Sequence, residues 1–277
     1  MGRLTPILLL IAAGVFPAAG ATKSIEWQNQ FDPALKLAQE TGKPLPIDFW
    51  ATWCEPCKRM DREVWTDEHL NSLADRYIFV AVDVDRDKGT AGRYLIHVIP
   101  TIAVADPWGH AVEKHEGYLD SSRVAKMMGQ LPSDYGAVRE WFDILEHDGK
   151  NAKALYRIGR FYADRQAFQL SNEFYGNALK TSLVKEDDAL REDLTLEIAI
   201  NQFRDGNMGD ARKRLEMFRK TFPDGRRQPE AMLAQVALAL QQHKRSEAEK
   251  TYQELQQRFP ESPATAGARK MLAQPQK

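Results

Sequence analysis

Cysteine is scarce in this chain, with two in 277 residues, Cys54 and Cys57. Two thiols supply neither a four-thiolate zinc site nor a framework of several disulfides. Charge of one sign is also missing: 38 Lys+Arg stand against 39 Asp+Glu, a formal net charge of -1. That balance argues against a nucleic-acid binder, which ordinarily carries a basic excess or stripe. Gly (17) and Pro (14) are too few for a collagen-like or linker-like protein. Beyond the first residues no long hydrophobic run exists. The stretch 231–240 is ten residues long and contains Gln235, so it reads as a buried helix, far short of the roughly 20 residues a membrane span needs. What is present is 43% hydrophobic and 28% charged, the mixture of a foldable globular chain, and its length predicts about two domains.

Residues 1–21 read as a secretory signal peptide. Arg3 is the only charge before Lys23, Ile7 to Phe16 is an apolar run of ten, Pro17 breaks it, and Ala19-Gly20-Ala21 offers small residues for cleavage. An uncleaved anchor including Ala18 to Ala21 is the alternative. The expected location is periplasmic or secreted.

Two classes of pattern follow. Between Phe31 and Leu131, helix-like and strand-like segments alternate. Asp32-Pro33 predicts a helix start with Asp32 as N-cap, and Gly42-Lys43-Pro44 its end. Leu45–Ala51, apolar and aromatic except for Asp48, predicts a buried strand. Pro56–Tyr77 reads as helix interrupted near Trp65-Thr66, and Ile78–Val84, Thr101–Ala105 and Ala111–His115 as strands. Ser121–Leu131 reads as a closing helix. Interleaved strands and helices predict an α/β layer fold. From Pro132 the strand pattern vanishes, and 138–272 reads as helix broken at Gly149, Gly206, Pro223 to Gly225, Pro229 and Pro260 to Pro263. The expected division is therefore a first domain over 22–132 and an all-α domain over 133–277.

The helical part repeats itself. Leu155, Ile158, Gly159 and Tyr162 followed by Ser171, Tyr175 and Ala178 are echoed by Thr195, Ile198, Ala199 and Gln202 with Ala211, Leu215 and Phe218. A third echo is Met232, Gln235, Val236 and Ala239 with Ala248, Tyr252 and Leu255, a period of about 37–40 residues. The last two end in Phe222-Pro223 and Phe259-Pro260. The pattern resembles tetratricopeptide repeats, with Thr195, Gln202 and Gln235 departing from the usual types; a plain helical bundle is the alternative.

The chemistry lies in Cys54-Glu55-Pro56-Cys57. A thiol at the end of a strand and the start of a helix meets free N–H groups and the positive end of the helix dipole, which favour the thiolate. A thiolate attacks a disulfide to form a mixed disulfide, and a second thiol one turn on is placed to resolve it. Half of a zinc site is the competing reading of such a pair. No second pair exists here, and His69, His97, His110 and His115 lack ligand spacing, so no metal is expected.

The stretch Pro46-Ile47-Asp48-Phe49-Trp50-Ala51-Thr52-Trp53-Cys54-Glu55-Pro56-Cys57-Lys58 resembles the active-site segment of the thioredoxin family. Asp83-Val84-Asp85, Gly89-Thr90-Ala91, Ile99-Pro100-Thr101 and Gly117 continue the likeness over about residues 25–131. Ala34, Ala38, Gly42-Lys43-Pro44 and Met60-Asp61-x-x-Val64-Trp65 look closer to the C-terminal domain of the transmembrane disulfide reductase DsbD and its small relatives. The resemblance implies a thioredoxin-like fold and a redox-active Cys54–Cys57 disulfide with no other cofactor. In it Cys54 attacks, Cys57 resolves, Asp48 is a buried carboxylate that takes the Cys57 proton, and Pro100 is cis. Trp53, Glu55, Pro56, Ile99 and Thr101 would border the substrate. Ala81 stands where thioredoxin has a buried lysine, and Glu55 brings a negative charge that disfavours the Cys54 thiolate.

Three functions follow as expectations. The first is an extracytoplasmic protein-disulfide reductase, whose partners are disulfide-bearing proteins and a membrane thiol reductase as electron donor. The second is an oxidase or isomerase with the same thiols. The third is a binding or assembly factor in which the repeats hold a peptide or protein.

Overall fold

The computed structural model describes residues 24–132 and 134–274. The leader read over residues 1–21 lies outside the described residues, as does Ser133 beside the expected division. Among the described residues no helix is long and apolar enough to cross a membrane.

The first part is a five-stranded mixed sheet in the order β1-β3-β2-β4-β5. Its strands are β1 (Trp27–Gln28), β2 (Leu45–Trp50), β3 (Phe79–Asp83), β4 (Thr101–Ala105) and β5 (Ala111–Glu116). β2 runs parallel to β3 and antiparallel to β4. Every residue of β2 from Leu45 to Phe49 is buried, as expected of a strand covered on both faces. Alternation sends its side chains to two cores. Ile47 and Phe49 join Phe31, Ala34, Val82 and Tyr94 on one face. Asp48 points to the other, where its ladder partner Ile102 packs with Met60, Trp65, Val124 and Met128.

The helices are α1 (Phe31–Thr41), α2 (Glu55–Glu63), α3 (Glu68–Ser72), α4 (Lys88–Arg93) and α5 (Ser121–Gly129). The expected interruption at Trp65-Thr66 falls between α2 and α3, and Asp67 caps α3 by accepting the His69 and Leu70 N–H groups. One expected cap is corrected. α1 begins at Phe31, so Asp32 lies inside its first turn and Gln30 occupies the N-cap without a side-chain bond. Asp32 there faces the positive end of the helix dipole. Gly42 closes α1 at φ 70°, a left-handed conformation that glycine adopts without steric cost.

The remainder of the described chain is helical: α6 (Gly136–His147), α7 (Ala152–Asp164), α8 (Phe168–Leu179), α9 (Ser182–Glu186), α10 (Asp188–Arg204), α11 (Met208–Thr221), α12 (Gln228–Gln241), α13 (Arg245–Arg258) and α14 (Pro263–Ala273). The three repeated segments fall on the pairs α7–α8, α10–α11 and α12–α13. The turn inside each pair places one residue at positive φ: Gln166, Gly206 and His243. These lie at the same 40- and 37-residue steps as the buried positions. Pro229, read as a break, instead lies in the first turn of α12, where its missing N–H is not needed.

Gly159 shows how closely one pair approaches. A Cβ there would lie 2.6 Å from ring carbons of the fully buried Tyr175. Gly159→Ala should therefore destabilise the protein by about 1–3 kcal/mol, more than the helix-propensity gain of roughly 1 kcal/mol returns. Urea unfolding checks this, and a higher midpoint for the variant would contradict the packing.

The two parts share a core. The β4–β5 turn carries Trp108, which stacks on Phe142 of α6 with ring centroids 3.7 Å apart. Asp106, fully buried, accepts the N–H groups of Trp108 and His110 and the hydroxyl of Tyr162 in α7. This junction is remote from the end of the sheet where Cys54 follows β2. Ala105 pairs with Leu45 at the start of β2 and Thr101 with Phe49 near its end, four residues or about 13 Å away. The helical part thus joins the sheet without covering the end that bears the cysteines.

Candidate active site

Cys54 and Cys57 are joined in a disulfide. Cys54 leaves β2 with extended backbone and forms the N-cap of α2, its Sγ accepting the Cys57 N–H at 3.2 Å. Pro56 occupies the first turn, where a donor is dispensable. Both sulfurs lie in a small cluster with Ala51, flanked by Trp50, Val84 and Ile99. Cys54 is 3% and Cys57 2% exposed, so a partner must present its own disulfide closely.

The rim is built from three segments. Trp53 is 65% exposed, and its indole Nε1–H donates to Asp85 Oδ2 at 2.8 Å. The ring is thereby held by the β3–α4 loop. Opposite, the Ile99–Pro100 peptide is cis, and the Pro100 carbonyl accepts the Gly117 N–H at 2.7 Å. Val98 is exposed just before it. Glu55 projects into solvent, and its carboxylate binds Lys58 Nζ at 2.7 Å. Lys58 holds the Glu55 carboxyl below its usual range, and it offsets the negative charge expected to oppose the Cys54 thiolate.

Thr101 is corrected as a substrate-facing side chain. It is fully buried, and its hydroxyl donates to the Val98 carbonyl at 2.6 Å. A β-branched hydroxyl residue at the start of a buried strand closes the loop beneath Val98-Ile99-Pro100, which leaves the rim to the residues before it.

Asp48 lies on the sheet face that α2 covers. It is 4% exposed, and its Oδ1 has no hydrogen-bond partner. Burial, reinforced by the negative Asp61 of α2, pushes its carboxyl up to about 7, with the Trp65 indole opposing. A carboxyl in that range takes and returns a proton near neutral pH.

Asp61 and Asp85 are the functional neighbours that site reasoning from sequence left out. Asp61 was accessible to it, since it stands four residues after Cys57 on the same face of α2. Asp85 stood in the Asp83-Val84-Asp85 likeness, but its partnership with Trp53 carried no local signal, because 32 residues separate the two.

A sheet and helices in this order, with a Cys-x-x-Cys disulfide at a helix start and a buried carboxyl beneath, define a thiol-disulfide oxidoreductase. Residues 26–107 match the thioredoxin-like family model, and residues 230–262, spanning α12 and α13, match a tetratricopeptide repeat model. The chain is 32% identical to a thioredoxin of Bacillus subtilis over 95 residues, 34% of this chain and 88% of that protein. It is 33% identical over 93 residues to the thiol:disulfide interchange protein DsbD 1 of Pseudomonas aeruginosa, 30% of this chain and only 16% of that relative's length. The solution structure of a thioredoxin from Thermus thermophilus covers 39% of this chain and 86% of its own, at 26% identity and a TM-score of 0.36. The chain belongs to the thioredoxin family, with tetratricopeptide-type helices following the redox fold.

Proposed function

We propose that this protein is an extracytoplasmic reductase of protein disulfides, with a redox domain over residues 22–132 and a repeat domain over 133–277. The observation that carries the thiol mechanism is the buried Asp48 carboxyl, pushed to about 7 on the face that α2 covers. In the reduced protein Cys54 attacks as thiolate, favoured by the free N–H groups of the first turn of α2. One substrate sulfur joins Cys54 and the other leaves as thiolate, which takes a proton from water. Asp48 accepts the Cys57 proton. The Cys57 thiolate then attacks Cys54 Sγ, which releases the second substrate sulfur and closes the Cys54–Cys57 disulfide. Two electrons pass from the dithiol to the substrate, and a membrane thiol reductase returns them. Trp53 and the main chain of Ile99 and Pro100 border the incoming segment.

The reducing direction is supported by the Glu55-Pro56 dipeptide and the apolar Ile99 before Pro100. An extracytoplasmic location is supported by the apolar leader pattern of residues 1–21. Equilibration with glutathione and its disulfide tests the direction. A potential below about -180 mV is expected, and a more oxidising value would assign the protein to disulfide formation or isomerisation. Such measurements call for the full chain, since removal of the helices would expose Trp108 and strip Asp106 of the Tyr162 hydroxyl.

A further inference from the structure

The free edge of the sheet opens onto a cleft that neither half of the chain forms alone. β5 ends the sheet order and pairs with β4 on one side only. Beside it lies a cleft of about 640 Å3, walled by Val112, Glu113 and Lys114 of β5, by Arg165 and Gln166 of the α7–α8 turn and by Gln169 of α8. That volume falls in the range of ligand clefts, roughly 300–1,000 Å3. Both cations of the cleft are engaged. Lys114 Nζ donates to the Leu95 carbonyl at 3.3 Å and pairs with Glu116 at 3.4 Å. Arg165 lies 3.6 Å over the Phe161 ring and donates to the Phe161 carbonyl at 3.2 Å.

Glu113 is different. Its Oε2 is buried and has no hydrogen-bond partner, and no ion pair to Glu113 is formed among the described residues. A buried carboxylate oxygen without a donor is costly. A cationic side chain or a main-chain N–H that reaches the Glu113 carboxylate from the cleft would offset that cost. An adjacent strand edge offers a row of unpaired main-chain groups of the kind that bind an extended peptide by strand addition.

We propose that this cleft docks an extended segment of the substrate polypeptide along β5, with a lysine or arginine side chain on Glu113. The proposal rests on the thiol-disulfide reading above, because it names how that reaction's protein substrate is held. β5 leads to Gly117, whose N–H meets the Pro100 carbonyl. A segment at Val112 is thus five residues, about 17 Å, from the loop beside the disulfide. A second copy of the chain is the poorer occupant. Residues of the α7–α8 turn stand beside β5 in this cleft, and a whole sheet edge has to pass them where a single extended segment does not.

Fluorescence anisotropy on the full-length oxidised protein tests the docking. The probe is a short, cysteine-free, fluorescein-labelled peptide of alternating lysine and valine, which as a strand presents all its lysines on one face. Saturable binding is expected. Glu113→Lys should weaken it at least about tenfold, and the isosteric Glu113→Gln by a smaller factor. N-methylation of alternate peptide nitrogens should also weaken it at least about tenfold. No binding, equal affinity for wild type and both Glu113 variants, or an N-methylated peptide that binds as well as its parent would each overturn the proposal. The probe has no thiol, so the two readings fail separately. Peptide binding without mixed-disulfide formation defeats the redox reading, and mixed disulfides without peptide binding defeat the docking site alone.

Discussion

Cys57→Ser should convert the protein from a turnover catalyst into a covalent trap. Cys54 keeps its place at the N-cap of α2, where the first-turn N–H groups support its thiolate. It still attacks a substrate disulfide, but no second sulfur is present to displace the product. Mixed disulfides should accumulate and be visible as reducible adducts in non-reducing electrophoresis and mass spectrometry. Cys54→Ser should yield none, because Cys57 lies inside the first turn of α2 and lacks the N-cap position that supports the Cys54 thiolate. Turnover should fall about a thousand-fold in both variants, roughly 4 kcal/mol in barrier. Adducts of equal yield in the two variants would reverse or abolish the assignment of attacking and resolving roles. The trapped proteins would also identify the substrates directly.

Asp48→Asn should produce the second large effect, in opposite directions for stability and for rate. The Asp48 carboxyl titrates near 3.8 in an unfolded chain and at about 7 in the oxidised fold. Between those values the native state binds the proton more tightly than the unfolded state, so wild-type stability falls as pH rises. The loss begins above pH 4 and is complete above pH 7. At 1.36 kcal/mol per unit it reaches about 4 kcal/mol as an upper bound. Asparagine carries no such penalty. The variant should therefore be more stable than wild type at pH 8 by about 2–4 kcal/mol, with the advantage shrinking toward pH 4. Denaturant unfolding at the two pH values checks the sign. Release of the mixed disulfide should meanwhile slow about a hundred-fold at pH 7, the lower end of general-base effects, and lose its inflection near that pH. Stopped-flow kinetics with an unchanged inflection would remove Asp48 from the proton path.

Much of the site was legible because it is contiguous. Cys54, Glu55, Pro56 and Cys57 lie on one strand-to-helix junction, and the pairing chemistry of two thiols depends mainly on their spacing. Asp48 stood out because a charge interrupts a strand otherwise buried on both faces. The repeats were legible through their 37–40-residue step, which recurs in the positive-φ residues of the three turns. What escaped were relations between distant segments. Thr101 follows Pro100 directly, yet only the fold shows its hydroxyl committed to Val98. The partnership of Trp53 with Asp85 and of Asp106 with Tyr162 links residues 32 and 56 positions apart. No local pattern encodes such contacts.

The two cysteines, their helix-start spacing and the alternation of apolar residues were settled by the chain itself, because covalent order and side-chain periodicity act over a few residues. The fold decided which groups meet. It laid Asp48 on the face under α2 and raised its carboxyl by burial. It attached the helices at the end of the sheet away from the disulfide, and left Glu113 unpartnered beside an open strand. Burial and charge pairing depend on surroundings assembled from remote parts of the chain, so they exist only once the layers have packed.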